Sequence, residues 1–217
     1  MRRPPLHAWK LEQLPVRPLT GGLINHSFVV GDPPVAVIQR LHPVFGPTVN
    51  LDIEAVTEHL AAKGLVTPLL LRTALGEAWV EDEGIWRALS WVPGITHHKL
   101  QDPGLALEAG RLVAHWHRAT RDLDHPFAFS RPLAHDIAHH MAVLEAALRE
   151  HPEHALANEV RALGQSIAGS YEELGAWDRE QVGVTHGDLK ISNLRFDEQG
   201  RGVCLLDLDT MGRGPLS

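Results

Sequence analysis

The spacing of apolar residues in this 217-residue chain changes near Val92, and no single layer of secondary structure can absorb both patterns. Before that point the segments "INHSFVV", "VAVIQRL", "TPLLLRT", "AWVED" and "IWRALSWV" are short, rich in β-branched or aromatic residues, and bounded by turn residues. The first two flank "GDPP" and predict an antiparallel hairpin. One helix interrupts the strands: from Asn50 to Lys63 the residues Ile53, Val56 and Leu60 recur on one face, and Gly64 follows as a stop. After "PGITHHKLQDPG", residues 103–175 read as three helices. Asp102 before Pro103 is suited to the start of the first. Its apolar face runs through Leu105, Ala109, Leu112, Val113 and Trp116. A second face uses Ile137, Met141, Leu144 and Leu148; a third uses Leu156, Val160, Leu163, Ile167 and Leu174, ending at Gly175. The chain closes with "VGVT", a polar loop, and a hairpin of "LRF" and "VCLLDLD". This order predicts two lobes, residues 1–92 and 93–217, the first a small sheet with one helix and the second mainly helical.

Composition narrows the function classes. Lys and Arg number 20 against 27 Asp and Glu, a formal charge of −7, and no basic run exists to follow a phosphate backbone, so nucleic acid is not expected as a partner. The single cysteine, Cys204, lies in an apolar run, which predicts a buried reduced thiol and a cytoplasmic setting. "MRRPPLHAWK" lacks an apolar segment behind its basic start, and no stretch approaches the roughly 18 apolar residues of a membrane span. Among the 15 histidines, His135 and His139 have the i, i+4 spacing of a helical metal pair, but no acid or cysteine completes a zinc set. The six tryptophans, Trp91 and Trp116 among them, are expected in the core.

The loop "HGDLKISN" carries chemistry. Phosphoryl transfer needs a carboxylate to orient the acceptor hydroxyl, hard oxygen ligands for magnesium, and positive charge near the transferred group. Asp188 suits the first task, Asn193 with Asp207 the second, and Lys190 the third. Asp, Gly and Asn are also ordinary turn residues. Four fixed residue types at this spacing arise by chance on the order of once in a thousand chains of this length, which favours the chemical reading. His186 is expected to brace the loop by hydrogen bonds.

On these residues, "HGDLKISN" and "LLDLDT", the chain resembles the aminoglycoside phosphotransferase and choline kinase superfamily. "GGLINHSFVV", "VIQRLHPVF" and "AHDIAHHM" look most like its N-acetylhexosamine 1-kinase branch. The resemblance implies an α+β, bilobal, protein-kinase-like fold and an ATP- and Mg2+-dependent phosphotransferase acting on a small hydroxylated acceptor, a sugar favoured over an aminoglycoside. It implies Asp188 as catalytic base, Asn193 and Asp207 as magnesium ligands, and "TGGLINHS", with Gly21, Gly22 and Asn25, as a phosphate-covering loop. It places backbone groups from Ser90 to Val92 at the adenine, and Glu54 or Glu58 as the acid bracing a phosphate-binding side chain. Gln39 stands where most relatives carry a lysine; strand alternation allows only one of Gln39 and Arg40 to face the nucleotide. The chain stops ten residues after Asp207, where relatives continue through helices that wall the acceptor pocket. The expectation is a chain truncated at its C-terminus, with apolar surface exposed and self-association as a consequence. The alternative is an inactive, nucleotide-binding remnant.

Overall fold

The computed structural model of the chain describes residues 3–20, 24–100, 102–129, 134, 136–173 and 182–215. Contacts gather them into two compact units, residues 1–130 with 183–214 and residues 131–182 with 215–217.

The larger unit is built on an antiparallel sheet. Its strands are β1 (Val16–Leu19), β2 (His26–Val30), β3 (Ala36–Arg40), β4 (Leu70–Leu71), β5 (Val80–Glu81) and β6 (Ile85–Ser90), in the order β1-β2-β3-β6-β4, with β5 also on β6. Each expected strand segment contains one of these, and the turn "GDPP" joins β2 to β3. Because side chains alternate along a strand, register decides which residues share a face. Phe28, Val30, Ala36, Ile38, Trp86 and Ala88 form one face and bury Leu6 and Trp9 from the N-terminal segment. On the opposite face Ser27 lies across from Gln39, and Gln39 across from Arg87.

Helix α1 (Val49–Ala62) presents Val49, Ile53, Val56 and Leu60 to a second core, the helical period read from the sequence. Lys63 caps it and Gly64, at φ +78°, turns the chain away. Helix α2 (Pro103–Thr120) starts at Asp102, whose Oδ1 accepts the Gly104 amide at 2.9 Å, with proline in the first turn where no amide is needed. Leu112 and Trp116 are buried, with Leu105, Ala109 and Val113 packed beside them. The same core takes in Val184 of β7 (Val182–Thr185), Leu194 and Phe196 of β8 (Leu194–Phe196), Leu205 of β9 (Gly202–Leu205), then Leu208 and Met211. β8 and β9 form the expected hairpin, and β10 (Gly212–Pro215) pairs with β7. This core therefore fixes the loop between β7 and β8 from beneath.

The smaller unit holds α3 (Ile137–Glu150) and α4 (Ala157–Glu173). Asp136 caps α3 through the His139 amide at 2.9 Å. Leu144 and Leu148 close on Gly164 of α4, but α3 buries no residue and α4 buries only Ala157 and Gly164. Ile137, Leu156, Val160, Leu163 and Ile167, which the sequence pattern places on apolar faces, are exposed. Leu174 and Gly175 lie outside the described residues. No described helix is long and apolar enough to cross a membrane.

Candidate active site

The loop between β7 and β8 is held by backbone and imidazole bonds. His186 is 1% exposed; its Nδ1 accepts the Asp188 amide at 3.3 Å, so its other nitrogen, Nε2, is the one that donates, to the Leu206 carbonyl at 2.8 Å. That pair of bonds fits a neutral ring, and burial lowers its pKa in the same sense. Gly187 sits at φ +77°, and a Cβ there would lie 2.3 Å from the Thr210 carbonyl oxygen. The loop thus passes against the 3-10 turn Leu208–Thr210, which follows β9, with only glycine's clearance. The Thr210 hydroxyl donates to the His186 carbonyl at 2.8 Å, closing the same junction.

Beyond Gly187 the loop turns through Asp188 to Asn193. The Asn193 amide nitrogen donates to the Asp188 carbonyl at 2.9 Å and to its Oδ2 at 3.2 Å, which leaves the Asn193 Oδ1 as the atom for a cation. The Lys190 ammonium donates to the same Asp188 oxygen. Asp207 follows β9 at φ +61°, a left-handed conformation that Asp tolerates better than most residues. Desolvation first, then repulsion from Asp209, raises its pKa, while Lys190 and Arg87 oppose the rise. Its side chain is nonetheless open to solvent. The Asp207 carboxylate and the Asn193 Oδ1 are both hard oxygens, and the Leu206 amide, next to Asp207, donates to the Asn193 backbone carbonyl at 2.7 Å. These residues fit a divalent cation of the magnesium or calcium type. Asp188, Lys190, Asn193 and Asp207 are thus brought together.

Asp209, two residues further on, has the opposite environment. It is 1% exposed and receives both terminal nitrogens of Arg87, Nη1 on Oδ1 and Nη2 on Oδ2, the latter at 3.0 Å. The Asn25 amide nitrogen adds a bond to Oδ2 at 2.6 Å. Arg87 also donates from Nε and Nη2 to the Gln39 amide oxygen, Oε1, at 2.9 and 2.7 Å, and the Gln39 amide nitrogen donates to the Ser27 hydroxyl at 2.9 Å. Gln39, not Arg40, shares the sheet face that meets Asp209; Arg40 lies on the other face and donates to the Glu83 carbonyl. Glu54 is engaged elsewhere, in a two-point pair with Arg72 at 2.6 and 2.5 Å, and Glu58 is exposed. The acid that braces a cation of the sheet here is Asp209. Sequence reading passed over Arg87, Asp209 and the bond from Asn25; only the register of β3 against β6 reveals them.

The segment after β6 is fastened to β8. The Ser90 amide donates to the Leu69 carbonyl at 2.8 Å, and the Val92 carbonyl accepts Nε and Nη2 of Arg195 at 3.2 and 3.1 Å. The Arg195 guanidinium lies 4.9 Å over the half-buried Trp91 ring. Gly21, Gly22 and His135 lie outside the described residues. Among the described residues no group of three or more His, Cys, Asp or Glu side chains forms a metal cluster.

The profile described as the phosphotransferase enzyme family matches residues 15–217. Among solved structures the chain is similar to an aminoglycoside phosphotransferase from Alicyclobacillus acidocaldarius, with a TM-score of 0.66 and 17% identity over 97% of this chain and 66% of that one. It is similar to the amicoumacin kinase hAmiN in complex with AMP-PNP, Ca2+ and Ami, at 0.61 and 15% over 95% and 61%. It is also similar to a thermostable mutant of aminoglycoside phosphotransferase APH(4)-Ia in ternary complex with ADP and hygromycin B, at 0.61 and 17% over 94% and 70%. At such identities the likeness establishes the fold, a kinase-like α+β architecture. The chain spans 66% and 61% of the first two of these structures.

Proposed function

This chain belongs to the phosphotransferase enzyme family, and on that premise we propose that it transfers a phosphoryl group from ATP to a hydroxyl of a small molecule, a sugar being the favoured acceptor. The observation that carries the proposal is the convergence of Asp188, Lys190, Asn193 and Asp207 on one loop and one hairpin end. Adenine nucleotides bound in the similar structures support ATP as donor. The sugar preference rests on the resemblance of the sequence motifs to sugar kinases.

Asp188 orients the acceptor hydroxyl and accepts its proton as the hydroxyl attacks in line. Its carboxylate is aimed by the Asn193 amide and its backbone by His186, so the base is positioned before substrate arrives. Lys190 is 47% exposed on its side chain and now rests on Asp188. Turning from that oxygen to the transferred phosphoryl group, it frees the base and supplies positive charge in one movement. Asn193 Oδ1 and the Asp207 carboxylate would hold a divalent cation, which when bound offsets charge on the phosphate oxygens. In this reading the stretch from Ser90 to Val92 would border the adenine, and Gly21, Gly22 and Asn25 would contribute to covering the phosphates.

Asp188→Asn separates binding from chemistry. ADP release across a panel of sugars should fall by roughly 10²–10⁴-fold while ATP affinity stays within about twofold. Undiminished turnover in that variant would sink the assignment.

A further inference from the structure

The sheet cation Arg87 has no role in the chemistry above, and its geometry denies it one as a direct phosphate ligand. Its side chain is 2% exposed, and four of the five guanidinium N–H groups are engaged by Asp209 and Gln39. What it does hold is Asp209, which two segments reach directly, β6 through Arg87 and the residue leading into β2 through Asn25, while β3 braces Arg87 through Gln39. Asn25 extends the connection, because its side-chain Oδ1 accepts the His42 amide at 2.9 Å. Two residues before Asp209 stands Asp207, in a left-handed conformation that an isolated turn would leave.

We infer that Arg87 is a positioning residue: by clamping Asp209 against the sheet it holds the turn on which Asp207 is presented, and so sets the affinity of the site for a divalent cation. The buried pair keeps the carboxylate of Asp209 out of competition for that cation. Without Arg87 a bare carboxylate would lie close to Asp207, and the left-handed turn would lose its anchor. Through Asn25 the same clamp links the cation-bearing turn to the segment just after the glycine pair, so both sides of the nucleotide region share one fixed point. The inference rests on the proposed phosphotransferase reading of Asp207 and Asn193.

The test measures Mn2+ binding without nucleotide, by calorimetry or electron paramagnetic resonance, beside binding of ADP in chelator. Arg87→Gln and Asp209→Asn should each weaken Mn2+ binding about tenfold and leave metal-free ADP binding within about twofold. The double variant should be no weaker than the weaker single, because both disable one clamp. Since Arg87→Gln leaves Asp209 unpaired in the interior, Asn25→Ala supplies a milder variant that removes one bond to Asp209. It should weaken Mn2+ binding about two- to threefold, with near-ultraviolet circular dichroism unchanged. Unaltered Mn2+ affinity in folded Asp209→Asn and Asn25→Ala would overturn the inference and reduce Arg87 to a structural filler. Equal losses of Mn2+ and ADP binding in Arg87→Gln or Asp209→Asn would overturn it too, as a general collapse of the site. If wild-type protein binds neither Mn2+ nor ADP, the phosphotransferase reading itself fails, and this inference with it.

Discussion

The sheet-and-loop unit and the α3–α4 hairpin draw on the same kinds of residue and use them differently. In the first, Phe196 is fully buried, Val184 and Leu205 lie within a few per cent of it, and polar groups such as His186 and Asp209 are enclosed with their partners. In the second, leucine, isoleucine and valine at helical spacing are mostly open to water, and the helices meet at Leu144, Leu148 and Gly164. The difference separates two meanings of an amphipathic pattern: it makes a helix in both places, but only a surface that covers it makes a core.

The sharpest way to break that contrast is one chemical change in both units. Phe196→Ala should cost about 3–5 kcal/mol in urea unfolding, since it empties a closed site. Leu163→Ala, at a position 61% exposed, should stay within about 0.5 kcal/mol. Equal costs would mean that α4 is as well covered as β8.

Glycine provides a second paired test. Gly187→Ala meets both a positive φ and the Thr210 carbonyl and should destabilise by about 2–4 kcal/mol, with loss of turnover. Gly169→Ala in α4 meets nothing within 4 Å and should stabilise by about 0.5–1 kcal/mol. Denaturant midpoints of the two variants moving in the same direction would contradict the comparison.

The smallest effect is in the pH dependence. Burial lowers the pKa of His186 and of His117, so below about pH 6.5 the unfolded chain takes up protons that these folded imidazoles resist. Their contribution to stability is therefore complete above about pH 6.5 and declines as pH falls through the lowered folded values. His186→Gln can keep one donor and one acceptor without titrating. Its urea midpoint should fall less than the wild type's between neutral and mildly acidic pH, and an identical slope would remove His186 from the account.

Local patterns explain what the sequence showed. The β2–β3 hairpin announces itself by "GDPP", α1 by the spacing of Ile53, Val56 and Leu60, and the start of α2 by Asp102 and Pro103, each decided within a few residues. The turn from Asp188 to Asn193 closes on itself within a few residues, whereas His186 at its start is tied to Leu206 and Thr210 further along the chain. Arg87 and Asp209 are 122 positions apart, and the side to which Arg87 points depends on how β6 registers with β3. Nothing nearby in sequence fixes that. The partner of Glu54 was hidden in the same way: it is Arg72, which follows β4, eighteen residues along the chain. The same problem hid how open the faces of α3 and α4 are, since period gives a face without naming its neighbour.

Asp207 carries one further consequence, for how this chain can drift. Its backbone favours a residue comfortable at φ +61°, glycine, asparagine or aspartate ahead of the others. The proposed cation site requires an anionic oxygen at the same place, which narrows the choice to aspartate or glutamate. Aspartate is the amino acid that meets both demands best. A mutation to asparagine spares the turn and removes the charge, a mutation to glutamate keeps the charge and strains the turn, and no neutral step leads away from this position.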